Sequence, residues 1–252
     1  MRFKNQVVLV TGSSRGIGRE IARRFAQEGA RVVVNCDRSI TDGKMVVKEI
    51  RSQGGEAAFV KADVTKEREV RQMIKQIGRL YGGVDILVNN AGFAKQNQFS
   101  NLMVSDFQKT LSVNLIGTFL CSRYVAADMI KRKRGVIINI ASIRGLEVCA
   151  RRDIMDYSAA KAGVIALTIA MAKELAHFGI RVNAVAPGIT KTELVQQLTP
   201  TARRRAVAGS LFKRMAEPGE IAGPVLFLAS GEASYVVGHV FIVDGGYRLT
   251  EL

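Results

Sequence analysis

A tyrosine and a lysine in the second half of the chain have the types and spacing needed for proton transfer. Tyr157 and Lys161 stand four positions apart, so a helix there would place both side chains on one face. An ammonium near a phenol favours the phenolate and lowers the phenol's pKa from its ordinary value of about 10. The pair therefore predicts that Tyr157 donates or accepts a proton, with Lys161 lowering its pKa. Such pairs also occur by chance on surface helices, so the prediction needs support from the rest of the chain.

Two further stretches supply that support. The apolar run 135–141 predicts a buried strand that ends at Ser142. Gly12, Gly16 and Gly18 follow the first apolar run of the chain and precede a helical pattern. Glycines in such a turn let a pyrophosphate approach the backbone, and the helix N-terminus stabilises its negative charge. Together these features predict an enzyme that uses a dinucleotide cofactor.

Apolar runs alternate with helix-periodic segments along the whole chain. The predicted strands are 6–10, 31–35, 57–61, 86–88, 136–140, 181–186 and 240–243. The predicted helices are 19–28, 45–53, 67–81, 104–131, a helix from Tyr157 to about residue 177, and 220–229. Strands that are apolar throughout indicate a parallel sheet covered by helices on both faces. We therefore predict an α/β protein, with residues 1–252 forming one Rossmann-type domain around a doubly wound parallel sheet of about seven strands.

The stretch 190–215, after the sixth predicted strand, shows no regular pattern. In a doubly wound fold ligands bind outside the carboxyl ends of the strands, so an insertion there lies where it covers a substrate. We predict that it is the substrate lid. The alternative is a helical surface excursion without a role in binding.

Composition excludes several classes of protein. Cys36, Cys121 and Cys149 lack metal-ligand spacing and are predicted to be reduced core residues. His177 and His239 are far apart in sequence, so no metal site is predicted. No apolar run is long enough to cross a membrane, and the first residues lack the apolar stretch of a secretory signal. These observations predict a cytoplasmic protein that does not bind membranes.

The chain carries a formal net charge of +15, which raises the hypothesis of a nucleic-acid partner. The basic residues are spread over the segments 131–134, 151–152, 203–205 and 213–214, without interleaved aromatic residues. A basic surface that attracts an anionic substrate or cofactor explains the charge more simply. We therefore predict no nucleic-acid partner.

From about Val7 to Gly246 the chain resembles the short-chain dehydrogenase/reductase family, and within it the 3-oxoacyl-[acyl-carrier-protein] reductase-like branch. The resemblance implies a catalytic tetrad. Tyr157 would protonate a ketone oxygen as hydride leaves the nicotinamide, and Ser142 would hydrogen-bond that oxygen. Lys161 would hold the nicotinamide ribose and keep Tyr157 acidic, while Asn114 would anchor the water chain that returns a proton to Lys161.

The resemblance also implies the cofactor contacts. Asp63 and Val64 are similar to the pair that holds the adenine, and the segment 89–92 is similar to the motif beside the adenine ribose. The segment 187–192 is similar to the one that grips the nicotinamide amide and the pyrophosphate. The implied contacts are Gly12, Ser14, Arg15, Gly16, Ile17, Gly18, Asp37, Arg38, Asp63, Val64, Asn90, Ala91, Gly92, Tyr157, Lys161, Pro187, Gly188, Thr190 and Thr192.

The end of the second strand favours NADP(H) over NAD(H). Cys36 occupies the position where NAD-dependent relatives carry an aspartate for the ribose 2′-hydroxyl. Arg15 is similar to the basic residue that NADP-dependent members place against the 2′-phosphate, and Arg38 could assist it. Asp37 keeps NAD(H) open, because a shift of one position would let its carboxylate bind the ribose.

The resemblance implies a homotetrameric, NADP(H)-dependent reductase of a 3-oxoacyl-(carrier protein or CoA) substrate. An NAD(P)-dependent sugar, polyol or secondary-alcohol dehydrogenase is the alternative, and a binding scaffold with a vestigial tetrad is a more distant one. The segments 131–134 and 151–152 could contact an acidic acyl carrier protein, or could be solvated charge at a helix end. The loop between Ser142 and Tyr157 is longer and more charged than is common in the branch, and we expect it to border the substrate.

Overall fold

The structure, a computed structural model, describes residues 1–196 and 200–250. Within these residues seven strands form one sheet, in the order β3-β2-β1-β4-β5-β6-β7, and every neighbouring pair is parallel. The predicted doubly wound parallel sheet is confirmed. The strands are β1 (Val7–Val10), β2 (Arg31–Cys36), β3 (Glu56–Lys61), β4 (Ile86–Asn89), β5 (Gly135–Ile140), β6 (Ile180–Pro187) and β7 (Val240–Val243).

Helices cover both faces of this sheet. The α-helices in the described part of the chain are α1 (Gly16–Gln27), α2 (Ile40–Ser52), α3 (Glu67–Tyr81), α4 (Val104–Leu111), α5 (Gly117–Arg132), α6 (Met155–Leu175), α7 (Glu193–Gln196), α8 (Pro200–Ala208) and α9 (Pro218–Ala229). Helices α1, α2 and α9 bury their apolar residues in one core cluster. Helices α3, α5 and α6 contribute to a second cluster on the opposite face.

The apolar character of the strands follows from this layering. In β1, Val8 and Val10 face the first cluster, while Val7 and Leu9 face the second. Successive side chains of a strand point to opposite faces, so a strand covered on both sides must be apolar at every position. The cysteines Cys36, Cys121 and Cys149 are free and buried, which confirms their predicted place in the core.

Strand order determines where a ligand fits. β1 pairs with β2 on one side and with β4 on the other, so the chain leaves the carboxyl end of β1 toward one half of the sheet and returns to build the other half. At such a switch point the loops diverge and leave a crevice. The glycine turn after β1 and the loops after β4 and β5 all lie at this edge.

The predicted helix over 104–131 is interrupted. A π-helical turn, Ser112–Ile116, separates α4 from α5. The wider turn inserts one extra residue into the helical register, a feature that is frequent at functional sites. Asn114 lies in the middle of this turn and is fully buried, so the interruption sets the direction of a predicted tetrad residue.

The prediction that 190–215 is irregular is wrong in part, because α7 and α8 lie within it. Residues 197–199 of this stretch lie outside the described residues. Both helices are short and precede the described turn at residues 209–215. Among the described residues no helix is long and apolar enough to cross a membrane.

A buried polar network joins the two central strands to the helices behind them. Asn89 on β4 donates from Nδ2 to Asn139 Oδ1 on β5 and to Ser122 Oγ on α5, both at 2.9 Å. Asn139 in turn donates from Nδ2 to Thr168 Oγ1 on α6 at 2.9 Å. Because an unpaired buried amide is costly, this network fixes how α5 and α6 sit on the strands.

We predict that Asn139→Ala lowers the free energy of unfolding by about 2–3 kcal/mol, since it removes the acceptor of Asn89 and the donor to Thr168 and leaves a cavity. Urea unfolding followed by circular dichroism measures the change. Asn101→Ala, at an exposed position, is the control and should change stability by no more than about 0.5 kcal/mol. Equal stability of the two variants would show that the network is dispensable.

Candidate active site

The glycine turn between β1 and α1 has the backbone shape that its glycines predict. Gly12 and Gly16 have φ angles of 62° and 57°, in the left-handed region that side chains disfavour. A Cβ on Gly18 would lie 2.3 Å from Asn90 Nδ2, so only glycine fits there. The turn therefore depends on all three residues.

Contacts from the end of β4 hold this turn. Thr11 Oγ1 accepts hydrogen bonds from the backbone N–H groups of Asn90 and Ala91, at 3.0 and 3.1 Å. Asn90 Nδ2 donates to the carbonyl oxygens of Thr11 and Gly12, at 3.0 and 2.9 Å. Asn90 and Ala91 thus shape the turn itself. Thr11 was not among the predicted site residues, although its position directly before Gly12 was a signal in the sequence.

The groove above this turn fits a pyrophosphate. No described side chain caps the N-terminus of α1, which leaves its first N–H groups for an anion. Thr192, after β6, lies opposite: a Cβ on Gly16 would be 3.3 Å from Thr192 Cγ2. Because a Cβ on Gly16 would occupy the space between the turn and Thr192, a ligand in that space contacts the backbone directly. These residues therefore fit the phosphates of a dinucleotide.

The residues expected around the adenosine end surround the carboxyl ends of β2 and β3. Cys36 is buried, whereas Arg15 and Arg38 are exposed. Arg38 Nε lies 3.2 Å from Asp37 Oδ2, so these two residues partly neutralise each other. Asp63 Oδ1 accepts hydrogen bonds from the backbone and hydroxyl of Thr65.

Val64 differs from its neighbour Asp63 because its side chain lies in the core. It is 6% exposed, and a Cβ on Gly117 of α5 would approach it to 2.7 Å. In the predicted pair, only Asp63 has a side chain outside the core.

The four predicted tetrad residues come together at the carboxyl ends of β4 and β5. Asn114, Ser142 and Lys161 are buried, and Tyr157 is half-buried. Ser142 Oγ accepts the backbone N–H of Arg144 at 3.1 Å. Because this contact uses Ser142 Oγ as an acceptor, the Ser142 hydroxyl hydrogen can be donated to a second oxygen, and the Tyr157 hydroxyl is the one in the protein.

Lys161 and Asn114 point at the same place. A Cβ on Gly92 would lie 2.5 Å from Asn114 Oδ1 and 3.6 Å from Lys161 Nζ. Lys161 Nζ donates to the carbonyl of Ile140 at 2.7 Å, and Asn114 Nδ2 donates to the carbonyls of Phe93 and Thr110, each at 3.0 Å. Asn114 Oδ1 has no partner among the described residues. A buried acceptor of this kind beside an ammonium suits a water molecule.

The prediction that Lys161 lowers the pKa of Tyr157 is wrong, because the pKa is raised and Lys161 is not among the groups that shift it. Burial raises the pKa of Tyr157, while hydrogen bonding from Ser142 and the charge of Arg144 act in the opposite direction. Lys161 Nζ lies 5.6 Å from the centroid of the Tyr157 ring. Burial also lowers the pKa of Lys161 to about 8. Desolvation favours the neutral form of both groups, so Tyr157 carries the proton that a donor needs.

A buried carboxylate that was not among the predicted site residues supports the tetrad. Asp156 is 1% exposed, and its Oδ2 accepts the hydroxyl of Thr110 at 2.6 Å. The carbonyl of Thr110 is an acceptor of Asn114, so the residue before Tyr157 is linked to Asn114. A carboxylate directly preceding Tyr157 was the only signal in the sequence.

The two basic segments considered for a carrier protein lie at different distances from the tetrad, and residues 131–134 are the more distant ones. They precede β5, whereas Ser142 follows it, and the six residues of the strand separate them by about 20 Å. Arg132 also pairs with Asp85 and Asp128, at 2.6 and 2.8 Å. Residues 151–152 follow β5 and lie closer to Ser142. Within the described residues, no cluster of His, Cys, Asp or Glu side chains could hold a metal ion.

We predict that Lys161→Met changes how stability depends on pH. The pKa of Lys161 is about 8 in the folded protein and 10.5 ordinarily. Between these two pH values the lysine binds more protons in the unfolded chain than in the folded one. The free energy of unfolding therefore rises with pH across that window, by about 3 kcal/mol in the wild type relative to the variant. Urea unfolding of the cofactor-free proteins at pH 7 and 10.5 measures it.

Lys173→Met, at an exposed position of the same helix, is the matched control and should show no such difference. If the free energy of unfolding of the wild type, relative to that of Lys161→Met, fell between pH 7 and pH 10.5, Lys161 would not be a desolvated lysine.

Comparison with known proteins agrees with this geometry. A family described as enoyl-(acyl carrier protein) reductase matches residues 12–248. The 3-oxoacyl-[acyl-carrier-protein] reductase of Synechocystis sp. is 43% identical, over 96% of each chain. That of Staphylococcus epidermidis is 40% identical, over 96% of this chain and 98% of its own. A solved structure from Agrobacterium tumefaciens, provisionally assigned as a gluconate dehydrogenase, is 36% identical with a TM-score of 0.94, over 99% of this chain and 98% of its own. The chain therefore belongs to the short-chain dehydrogenase/reductase family.

Proposed function

We propose that this protein is an NADP(H)-dependent reductase that converts a 3-oxoacyl thioester, carried by an acyl carrier protein or by CoA, into the 3-hydroxyacyl thioester. The observation that carries the proposal is the meeting of Ser142, Tyr157, Lys161 and Asn114 beside the glycine turn. The names of the Synechocystis and Staphylococcus relatives support the choice of substrate.

The residues divide the proton chemistry among them. Ser142, whose oxygen is occupied by the Arg144 N–H, donates its hydrogen to the ketone oxygen and orients it. Tyr157 is kept protonated by burial and transfers that proton to the same oxygen. When bound, the nicotinamide supplies the hydride. Lys161 then returns a proton to Tyr157, and Asn114 Oδ1 holds the water through which Lys161 is resupplied.

The choice of NADP(H) rests on charge at the end of β2. Cys36 offers no carboxylate to repel a 2′-phosphate, and the exposed Arg15 and Arg38 can approach one. Asp37, which would favour NAD(H), is engaged by Arg38. The charges at the end of β2 therefore favour the 2′-phosphate of NADP(H).

Residues 190–215 are proposed as the substrate lid. Their end is tied to the C-terminal segment: Ser210 Oγ donates to the carbonyl of Gly245 at 3.0 Å, and Thr250 Oγ1 donates to that of Gly209 at 3.1 Å. A cavity of about 100 Å³ lies between this end and the carboxyl ends of β6 and β7. The start of the stretch is tied as well, by a parallel bridge between Thr190 and Ala216. Both ends are therefore held at the carboxyl edge of the sheet, where a lid would cover the crevice.

A homotetramer is proposed as well. Large apolar side chains are exposed around α4 and the start of α5, where the sheet does not cover them: Phe99, Met103, Val104, Ile116 and Phe119. Apolar surface of this extent on a monomer indicates a contact with another chain.

A sugar, polyol or secondary-alcohol dehydrogenase remains the second candidate. The observation that favours it is the structural neighbour assigned provisionally to gluconate. Oxidation of sugars and sugar acids with NAD⁺ or NADP⁺ is the assay that separates it from thioester reduction.

We predict that Tyr157→Phe lowers kcat for NADPH oxidation with a short 3-oxoacyl thioester by about 100-fold or more, because it removes the proton donor. Affinity for NADPH, measured by fluorescence titration, should persist. Tyr235→Phe, at a fully exposed tyrosine, is the control and should behave as wild type. Full activity of Tyr157→Phe would exclude the proposed mechanism, and no reduction by the wild type would exclude the substrate class.

We predict that Arg15→Gln raises the KM for NADPH by about tenfold, the effect of losing one hydrogen bond to a charged group, and leaves the KM for NADH unchanged. Steady-state kinetics with both cofactors measures this. Arg19→Gln, an exposed arginine of α1 that pairs with Glu49, is the control. An equal rise for both cofactors would mean that Arg15 binds a group that the two cofactors share.

A further inference from the structure

The loop after β5 brings a buried arginine next to the reacting groups. Arg144 follows Ser142 by two residues, in the short 3-10 turn Ile143–Gly145, and its backbone N–H is the donor to Ser142 Oγ. Its side chain is buried, with the residue 7% exposed. The loop itself is the one whose length and charge depart from the reductase branch.

The guanidinium of Arg144 is held by neutral groups. Its Nη1 donates to the carbonyl of Cys149 at 3.2 Å, and its Nη2 donates to Tyr247 Oη at 3.1 Å. Its Cζ lies 4.8 Å from the centroid of the Tyr247 ring. A guanidinium has five N–H donors, so these contacts fix its plane and leave donors unused.

Arg144 has no carboxylate partner among residues 1–196 and 200–250, since no Asp or Glu oxygen lies within 4.0 Å of it. Asp244, the acid nearest to Tyr247 in sequence, accepts the N–H groups of Gly246 and Arg248 instead, at 2.9 and 3.0 Å. A buried cation without a counter-ion is costly. An anionic ligand group would remove that cost.

A ligand group bound to Arg144 would be distant from the site that fits the cofactor phosphates. The phosphates fit the glycine turn after β1, whereas Arg144 follows β5, and β4 lies between the two strands. Two strand spacings correspond to about 10 Å. Tyr247 also packs against the lid, because a Cβ on Gly209 would lie 2.4 Å from its ring. Arg144 therefore lies on the substrate side of the crevice.

A cavity adjoins this residue. A cavity of about 440 Å³ lies between the loop after β5 and α6 and is lined by Arg144, Arg151, Arg152, Glu147 and Met155 among others. Arg151 is paired with Asp153 at 2.6 Å, so Arg144 and Arg152 together with Glu147 leave the lining with a small excess of positive charge.

We propose that Arg144 binds a free carboxylate on the acyl portion of the substrate, and that the enzyme thereby selects 3-oxoacyl thioesters that carry such a carboxylate near the ketone. The fixed plane of the guanidinium suits a carboxylate bound by two parallel N–H donors. This inference rests on the proposed ketone reduction and specifies its substrate class.

The test compares two substrates that differ only in charge: the N-acetylcysteamine thioester of 3-oxoadipate, with its distal carboxylate free, and the same thioester as its methyl ester. Neither contains a phosphate. We expect the wild type to prefer the acid by about 30-fold or more in kcat/KM, the effect of pairing a buried charge. Arg144→Gln should abolish the preference, and Arg144→Lys should retain part of it. Arg248→Gln, at a neighbouring exposed arginine, should retain all of it.

A second measurement does not depend on turnover. Levulinate has the same spacing between ketone and carboxylate, and its binding to the NADP⁺-saturated enzyme is measured by calorimetry, with methyl levulinate as the neutral probe. We expect wild type to bind levulinate at least tenfold more tightly than Arg144→Gln does, with thermal unfolding confirming that the variant is folded.

Equal kcat/KM for acid and ester in the wild type, or a preference retained in Arg144→Gln, would overturn the inference while leaving the reductase standing. If neither thioester were reduced, the proposed function would fail, and the levulinate titration would decide the role of Arg144 alone. If levulinate did not bind, or bound equally to the wild type and to Arg144→Gln, the proposal that Arg144 binds a carboxylate would be overturned.

Discussion

Parallel pairing of the strands is the constraint on which this structure depends. It places all the carboxyl ends at one edge of the sheet, and the reversal of strand order between β1 and β4 opens a crevice there. Every residue proposed to act on cofactor or substrate follows a strand at this edge or lies on a helix that begins beside it. The site is therefore assembled from loops whose positions are fixed by a core that is apolar on both faces.

Buried hydrogen bonds convert this placement into a defined geometry. Thr11 and Asn90 join the glycine turn to the end of β4, and Asp156 is linked through Thr110 to Asn114. Each contact satisfies groups that would be costly to leave unpaired away from water. The same requirement that stabilises the fold thus also limits the directions in which the cofactor turn and the tetrad can point.

Desolvation dominates the electrostatics of the tetrad. It raises the pKa of Tyr157 and lowers that of Lys161, so the protein alone keeps both groups closer to neutral than two isolated side chains would be. Arg144 lies beside them and has only neutral partners among the described residues. The reacting region therefore combines a protonated phenol with a fixed positive charge, which suits an oxygen that becomes more negative as it accepts hydride.

The sequence by itself determined the order of the strands and of most helices and the glycine turn, because hydrophobic period and motif spacing are local properties of a chain. β7 and α3 begin and end at the predicted residues for this reason. The resemblance of the sequence to a known family supplied the four proposed tetrad residues. Only the tertiary structure decided the direction of the Tyr157 pKa shift, the π-helical turn that aims Asn114, and the edge on which residues 131–134 lie. It alone revealed the neutral surroundings of Arg144. These properties arise from burial and from contacts between residues far apart in sequence, and no local pattern encodes how much water a side chain loses when the chain folds.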